Sequence, residues 1–235
     1  MANGVSSHRP RRLPAGERGW LLAIDTSTGQ AGIALTNGEN LAQQSWPAGR
    51  QQTTMVLPAI EHLLSQCAVS LDQVGAVAVA TGPGSFTGLR VGMSVAKGFV
   101  LAAERAMVGV ATLDLVAAPC VALGIDCVAV IPAGRGRVVW ARYDAAGGGD
   151  LPRNSTFEEL LAALDEIADP LVIGELAMEQ RGTLAGRGVP LAPAAMAATR
   201  AGVLAEMGFE RWGRGEVDDA ATLEPLYLHG RPNPR

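Results

Sequence analysis

Short apolar runs alternate with helix-patterned segments along most of this sequence, and that alternation restricts the chain to few folds. The run from Val74 to Ala80 has the length of a strand and is apolar enough to be buried on both faces. A glycine-rich segment follows it, and then a helix pattern over Leu89 to Arg105. Because strands that alternate with helices build a parallel or mixed sheet covered by helices, the sequence predicts an α/β fold.

The first part of the chain predicts a three-stranded meander followed by a helix. Apolar runs at Trp20 to Ile24 and Ala31 to Leu35 flank a polar turn. Asn37-Gly38 suits the positive φ of a tight hairpin, so a third strand is expected from about Asn40 to Trp46. Apolar residues at helical spacing then predict a helix over Thr53 to Cys67.

The remaining segments continue the same alternation. Strands are predicted at Met107 to Ala111, Cys127 to Ile131, Arg137 to Tyr143, Leu171 to Gly174 and Leu226 to Leu228. Helices are predicted at Leu113 to Leu123, Phe157 to Ile167, Leu176 to Leu184 and Ala194 to Met207. Three glycines at 147–149 predict a seam near residue 150, and no tandem repeat is visible in the sequence.

Composition and charge favour a globular protein of a reducing compartment. Apolar residues make up 48% of the 235-residue chain, and the net charge of -4 gives no overall field that attracts RNA. Three cysteines without metal-ligand spacing indicate neither a disulfide framework nor a zinc site, so the cytoplasm is expected. Residues 1–19 predict a disordered basic tail without a secretory signal, and no apolar stretch reaches bilayer length.

A carboxylate and three hydroxyls follow the first predicted strand, in Asp25-Thr26-Ser27-Thr28-Gly29. Such a turn can hold hydrated Mg²⁺ through its carboxylate while hydroxyls and backbone N–H groups meet phosphate oxygens. The same residue types are common turn formers, because their side chains bond the local backbone. Asp25, Thr26 and Ser27 are therefore candidate nucleotide-binding residues, with an ordinary turn as the alternative.

The glycine-rich segment lies between a strand and a helix, where N–H groups and the helix dipole attract an anion. It is not a Walker loop, because Gly88 is followed by Leu89, and Thr87 replaces the third glycine of a dinucleotide turn. A helix start capped by Ser85 or Thr87 is the alternative. The candidate anion-binding residues are Gly82, Gly84, Ser85, Thr87, Gly88 and Arg90.

Small residues Gly88, Gly92 and Ala96 lie four apart on one face of the following helix. A glycine costs a helix about 1 kcal/mol relative to alanine, so close approach of another backbone is expected as compensation. That neighbour is either the chain's own sheet or a partner protein.

Familiar catalytic sets cannot be assembled from these residues. The only histidines are His8, His62 and His229, and none is paired at i, i+4 as a helical metallopeptidase site requires. The sequence also lacks the GxSxG nucleophile turn and any cysteine in an activating context. No self-contained active site is therefore expected.

Three segments resemble the bacterial TsaB (YeaZ) family: Leu21 to Ser27, Gly82 to Gly92, and Gly109 to Leu113. The match runs in order from about Leu21 to Tyr143, with a weaker one near Pro225 to Leu228. The resemblance implies an actin-like ATPase (ASKHA, RNase H-like) fold with lobes at residues 20–112 and 113–235. It also implies a role in forming threonylcarbamoyladenosine in tRNA.

By the same resemblance, the chain is a non-catalytic subunit that dimerises with a TsaD-type transferase, acts with a TsaE-type ATPase and reaches tRNA only through the complex. Alone it is expected to form a homodimer. The dimer face would comprise Thr53, Val56, Ile60, Gly88, Gly92, Val95, Ala96 and Phe99. No cofactor is expected to bind tightly, and ATP or ADP with Mg²⁺ would bind at the partner interface.

Two other function classes fit parts of the pattern. A stand-alone small-molecule kinase of the same fold would use Asp25 and its neighbouring hydroxyls with Mg-ATP. It needs a second phosphate-binding hairpin, for which the glycines at 147–149 are the only glycine-rich candidate. A metallopeptidase lacks the histidine ligands that it would require.

Overall fold

The computed structural model of the chain describes residues 19–49 and 52–228, which form two β-sheets and their covering helices. The strands are β1 Trp20–Asp25, β2 Gln30–Thr36, β3 Leu41–Pro47, β4 Val74–Gly82, β5 Ala106–Ala111, β6 Cys127–Gly134, β7 Arg137–Tyr143, β8 Arg153–Thr156 and β9 Val172–Gly174. The helices are α1 Gln52–Gln66, α2 Phe86–Ala102, α3 Thr112–Ala122, α4 Phe157–Leu164, α5 Met178–Gly186, α6 Ala194–Ala198 and α7 Arg200–Arg214.

The first sheet has the order β3-β2-β1-β4-β5, with β1 at its centre. β1 runs antiparallel to β2 and parallel to β4. Because successive strand residues point to opposite faces, Leu22 and Ile24 pack with α1 and α2, whereas Leu21 and Ala23 pack with α7. Gly38 adopts a φ of 91° in the predicted hairpin between β2 and β3. The sheet is therefore a central layer between two layers of helices.

The second sheet, β8-β7-β6-β9, repeats the strand arrangement of the first. β6 is antiparallel to β7 and parallel to β9, and β7 is antiparallel to β8. The strands β1, β2, β3 and β4 have the same order and the same senses. α3 packs on one face of this sheet, and α4 and α5 pack on the other. This duplicated topology confirms the predicted α/β fold of two lobes with mixed sheets.

The last helix returns to the first sheet. Ala201, Leu204 and Ala205 of α7 pack against Leu21 and Ala78, although α7 follows the second sheet in sequence. The predicted lobe boundary at residue 112 assigns α7 to the second lobe, but α7 packs on the sheet of the first lobe. This crossing brings the start of α7 next to the turn after β1.

Three sequence predictions differ from the observed elements, and one observed strand has no counterpart among the predictions. The helix predicted over Ala194 to Met207 is two helices that meet at Thr199, and α7 continues to Arg214. β8 was not predicted. The glycines at 147–149 lie in the connection from β7 to β8 within one sheet, so they do not form a seam between lobes. Residues 226–228 are not a strand, and Leu226 N donates a single hydrogen bond to the Thr81 carbonyl at 2.7 Å.

Two predictions concern the chain ends and the membrane. The basic tail predicted at residues 1–19 falls almost wholly outside the described residues, which begin at Gly19. Within residues 19–49 and 52–228, no helix combines the length and apolarity that a bilayer crossing requires.

Candidate functional site

The turn after β1 is buried where the two lobes meet. Asp25 ends β1, and its Oδ1 accepts hydrogen bonds from Ser27 N at 2.9 Å and Ser27 Oγ at 2.6 Å. The Asp25 side chain is 1% exposed. A carboxylate this deeply buried needs a cationic or hydrogen-bonding partner, because the loss of its hydration is otherwise very costly.

Arg200, the first residue of α7, supplies that partner from the distant end of the chain. Its Nε donates to Asp25 Oδ2 at 2.7 Å. Its Nη2 donates to Thr28 Oγ1 at 2.6 Å and to the Gln30 carbonyl at 2.8 Å. The side chain is 2% exposed, so solvent does not compete for these bonds. The ion pair therefore fixes α7 to the turn after β1.

Glu175, which follows β9, brings the second lobe into the same network. Its carboxylate accepts hydrogen bonds from Arg200 Nη1 and, at 2.5 Å, from Thr28 Oγ1. Arg200 Nη1 also donates to the Ala197 carbonyl at 3.1 Å, so each of the five guanidinium N–H donors has an acceptor. Burial alone lowers the pKa of Arg200, but the charges of Asp25 and Glu175 outweigh it and raise that pKa. The network holds a permanent cation between two carboxylates.

The glycine-rich loop packs directly on this turn. Ser85 N donates to the Ser27 carbonyl at 2.6 Å. A Cβ atom at Gly84 would lie 2.0 Å from the same oxygen, which explains the glycine. Ser85 Oγ accepts from Gly88 N at 3.2 Å and caps α2, which begins at Phe86. Capping by Ser85 is thus confirmed, and the N–H groups of Ser85 and Gly88 are engaged within the chain.

The small residues of α2 face the chain's own sheet and turn. Thr26 Oγ1 donates to the Gly88 carbonyl at 2.7 Å. A Cβ atom at Gly92 would lie 2.4 Å from Thr26 Oγ1, and Ala96 belongs to the core of the first lobe. The close neighbour that these residues predict is therefore the turn after β1.

This packing corrects the residue set predicted for the partner surface. Val56 and Ile60 are buried in the core together with the small residues of α2, so none of them offers surface to another protein. Val95 and Phe99 pack at the margin of this core and are partly exposed. The side chain of Thr53 lies outside the described residues.

The other predicted loop residues do not converge on one ligand position. Gly82 is buried at the end of β4 with a φ of 102°, and a Cβ atom there would lie 2.7 Å from the Leu226 carbonyl. Thr87 and Arg90 are exposed on the first turns of α2. The candidate anion site is thus divided between a buried packing residue and exposed helix residues.

A partly exposed cluster at the start of α2 is formed by Phe86, Arg90 and Tyr227, of which only Arg90 belongs to the predicted site. The guanidinium carbon of Arg90 lies 3.8 Å from the Phe86 ring centroid, and Arg90 Nε donates to the Tyr227 hydroxyl at 3.2 Å. The two ring centroids are 5.1 Å apart, and Phe86 is 49% exposed. The spacing of Phe86 and Arg90 on one helix face was a usable signal, whereas no local pattern pointed to Tyr227.

A Mg²⁺-bound nucleotide, which an actin-like ATPase fold implies, does not fit the turn after β1. Mg²⁺ requires carboxylate and water oxygens, but the Asp25 carboxylate is bonded to Arg200 and Ser27. The N–H groups of Ser85 and Gly88, which could donate to a phosphate, are engaged within the chain. The residues present therefore support no phosphoryl chemistry through Asp25.

Comparisons with known proteins agree with the resemblance of the three sequence segments. Residues 47–192, more than half of the chain, match the family described as TsaD, tRNA N6-adenosine threonylcarbamoyltransferase. The tRNA threonylcarbamoyladenosine biosynthesis protein TsaB of Escherichia coli K12 is 37% identical over 125 residues, 52% of this chain and 54% of that protein. The Haemophilus influenzae protein of the same name is 37% identical over 97 residues, 41% of each chain. The chain thus spans about half the length of these curated relatives.

Two solved structures cover more of the chain. YeaZ from Pseudomonas aeruginosa is 26% identical with a TM-score of 0.71, covering 89% of this chain and all 100% of that one. A second solved structure, described as an uncharacterized protein with similarity to peptidase YeaZ from Pseudomonas aeruginosa, is 27% identical with a TM-score of 0.72, covering 90% of this chain and 100% of that one. These matches confirm the actin-like, RNase H-like fold. The chain therefore belongs to the TsaD family and, within it, to the TsaB (YeaZ) proteins.

Proposed function

We propose that the chain is a non-catalytic partner subunit in the formation of threonylcarbamoyladenosine in tRNA, where it dimerises with a TsaD-type transferase. The observation that carries the proposal is the buried ion pair of Arg200 and Asp25, because it fills the turn that an enzyme of this fold would need for a nucleotide. The TsaB relatives are named for the biosynthesis of this modified nucleoside, which supports the process in which the chain acts.

The partner surface in this proposal is the outward face of α1 and α2. Met55 and Leu57 are exposed on α1, and Val95 and Phe99 are partly exposed on α2. Apolar side chains that face solvent on two neighbouring helices are typical of protein contact sites. The cluster of Phe86, Arg90 and Tyr227 adds aromatic and arginine side chains, which dominate the binding energy of many interfaces.

The remaining members of the assembly follow from the same proposal. ATP or ADP with Mg²⁺ binds at the interface with the transferase and not tightly to the isolated chain. A TsaE-type ATPase joins through the complex, and the net charge of -4 supports contact with tRNA through more basic partners. The isolated chain uses the same helices to form a homodimer, and the complex works in the cytoplasm.

Size exclusion with light scattering tests the association directly. The chain mixed with a TsaD-type transferase is expected to elute as a heterodimer at micromolar concentrations. Leu57→Glu places a charge on the proposed face, where Leu57 is 55% exposed, and should weaken association about tenfold or more. The matched control is Met178→Glu, which changes an exposed methionine of α5 on the second lobe.

Two results would contradict the proposal. The first is no association while circular dichroism shows both proteins folded. The second is an equal loss of affinity in Leu57→Glu and Met178→Glu, because α5 lies outside the proposed surface.

A further inference from the structure

Three separate parts of the chain converge on one guanidinium group. Asp25 ends β1 and Thr28 lies in the turn after it, both in the first lobe; Glu175 follows β9 in the second lobe, and Arg200 begins α7. The pair of Arg200 and Asp25 joins residues 175 apart in sequence. Thr28 Oγ1 links the two lobes, because it accepts a hydrogen bond from Arg200 and donates one to Glu175. One buried residue therefore connects both lobes and the returning helix.

The acceptors around this guanidinium are the oxygen types that hard cations prefer. They comprise two carboxylates, a hydroxyl and two backbone carbonyls, from Asp25, Glu175, Thr28, Gln30 and Ala197. Carboxylate and carbonyl oxygens are also the ligands of Ca²⁺ and Mg²⁺ in proteins. A guanidinium differs from a metal ion because it is covalently held and remains charged at every pH at which proteins fold.

The turn has no room to move away from its cation. Gly84 and the Ser27 carbonyl are in direct contact, and Gly92 is packed against Thr26 Oγ1. The turn is thus held by the glycine-rich loop and α2 on one side and by Arg200 on the other. Opening the junction between the lobes requires separating Arg200 from Asp25 or from Glu175.

We propose that Arg200 is the built-in cation of this site between the lobes, where it replaces a divalent cation and holds the lobes in a fixed arrangement. The lobes of a two-lobed protein commonly close around a bound ligand. Here the chain supplies the closing charge itself, so the junction does not depend on nucleotide or metal. Arg200 is a positioning residue, and it presents the turn and α2 in one constant geometry.

Metal rescue of a variant tests the cation role. Arg200→Ser removes the guanidinium and leaves Asp25 and Glu175 without it, so its melting temperature should fall. Added Ca²⁺ should raise the melting temperature of this variant in a concentration-dependent way and leave that of the wild type unchanged. The double variant Arg200→Ser with Asp25→Asn should lose the response to Ca²⁺. An equal response of wild type and variant, or none in Arg200→Ser, would overturn the proposal.

A milder variant keeps the test decisive if Arg200→Ser does not fold. Glu175→Gln removes one carboxylate of the network, and Glu179→Gln changes an exposed carboxylate of α5 as the matched control. Hydrogen exchange at the Ser27 and Glu175 amides should be about ten- to a hundredfold faster in Glu175→Gln, as loss of one charge-assisted hydrogen bond predicts. Unchanged exchange in Glu175→Gln, or protection of these amides by Mg-ATP in the wild type, would contradict the fixed junction.

Discussion

Gly92→Ala is predicted to destabilise the chain although alanine favours helices. The added Cβ atom would lie 2.4 Å from Thr26 Oγ1 and 3.7 Å from Ile24 Cγ2. The Thr26 side chain is buried, and its hydroxyl donates to the Gly88 carbonyl at 2.7 Å. Thr26 can make room only by weakening that bond or by shifting the turn after β1.

Three terms set the size of the effect. Alanine in place of glycine favours the helix by about 1 kcal/mol. Overpacking a filled site costs about 1–3 kcal/mol, and weakening the bond from Thr26 to Gly88 costs about 0.5–1.5 kcal/mol. The free energy of unfolding should therefore fall by about 0.5–3.5 kcal/mol. For a chain of this size each 1 kcal/mol lowers the melting temperature by about 2–4 °C.

Gly98→Ala on the same helix is the matched control. No atom lies within 4 Å of a Cβ placed there, and the residue is exposed. Only the helix preference acts at this position, so stability should rise by about 0.5–1 kcal/mol. Urea denaturation followed by circular dichroism should show opposite signs for the two variants. A Gly92→Ala chain of unchanged stability that loses affinity for a TsaD-type transferase would refute the internal packing and restore Gly92 to the partner surface.

Three further predictions concern stability away from this helix. Thr112 Oγ1 is buried without a hydrogen-bond partner among the described residues, so Thr112→Val should raise stability to urea by about 1 kcal/mol, and a loss would contradict this. Thr156→Ala removes the capping box shared with Glu159 and should cost about 1 kcal/mol in thermal unfolding, whereas no change would show that the cap is redundant. Burial raises the pKa of Cys127 from 9.0 to about 12, so the unfolded chain ionises this thiol first as the pH rises. The free energy of unfolding should therefore decrease between pH 9 and about 12. An identical decrease in Cys127→Ala would show that a group other than the Cys127 thiol causes it.

The sequence predicts best the elements that depend on local pattern. The hairpin at Asn37-Gly38 and the buried strand β4 follow from turn chemistry and apolar runs, and their observed bounds lie close to the predicted ones. The helix after the glycine-rich loop follows from its apolar pattern, and Ser85, one of the two capping candidates, is its N-cap. These features depend on neighbours within a few residues of the chain.

The ion network could not be predicted, because its members are distant in sequence. Asp25 and Arg200 are 175 residues apart, and an arginine in a helix normally lies at the surface. The alanine-rich pattern around Ala194 also predicts one continuous helix where the structure has α6 and α7. The break between them, which places Arg200 at the start of α7, therefore has no sign in the sequence pattern. Only the return of α7 to the first sheet brings the two charges together.

The small residues of α2 correctly predict a close neighbour, but they allow two interpretations of which protein supplies it. Glycines four apart require a close neighbour, but the pattern does not say whether that neighbour is internal. The structure identifies it as Thr26 of the same chain. Similarly, the duplicated sheet topology leaves no repeat in the sequence, because many different apolar residues can build the same strand order.

The most direct measurement is a reconstituted assay that follows both threonylcarbamoyl transfer to tRNA and ATP hydrolysis. The chain is added to a TsaD-type transferase and a TsaE-type ATPase, and each component is also measured alone. If the chain is a non-catalytic subunit, the isolated chain should neither hydrolyse ATP nor modify tRNA, and transfer by the partners should rise sharply when the chain is added. ATP hydrolysis by the isolated chain, or transfer that is unchanged by its addition, would contradict its role as a non-catalytic partner subunit.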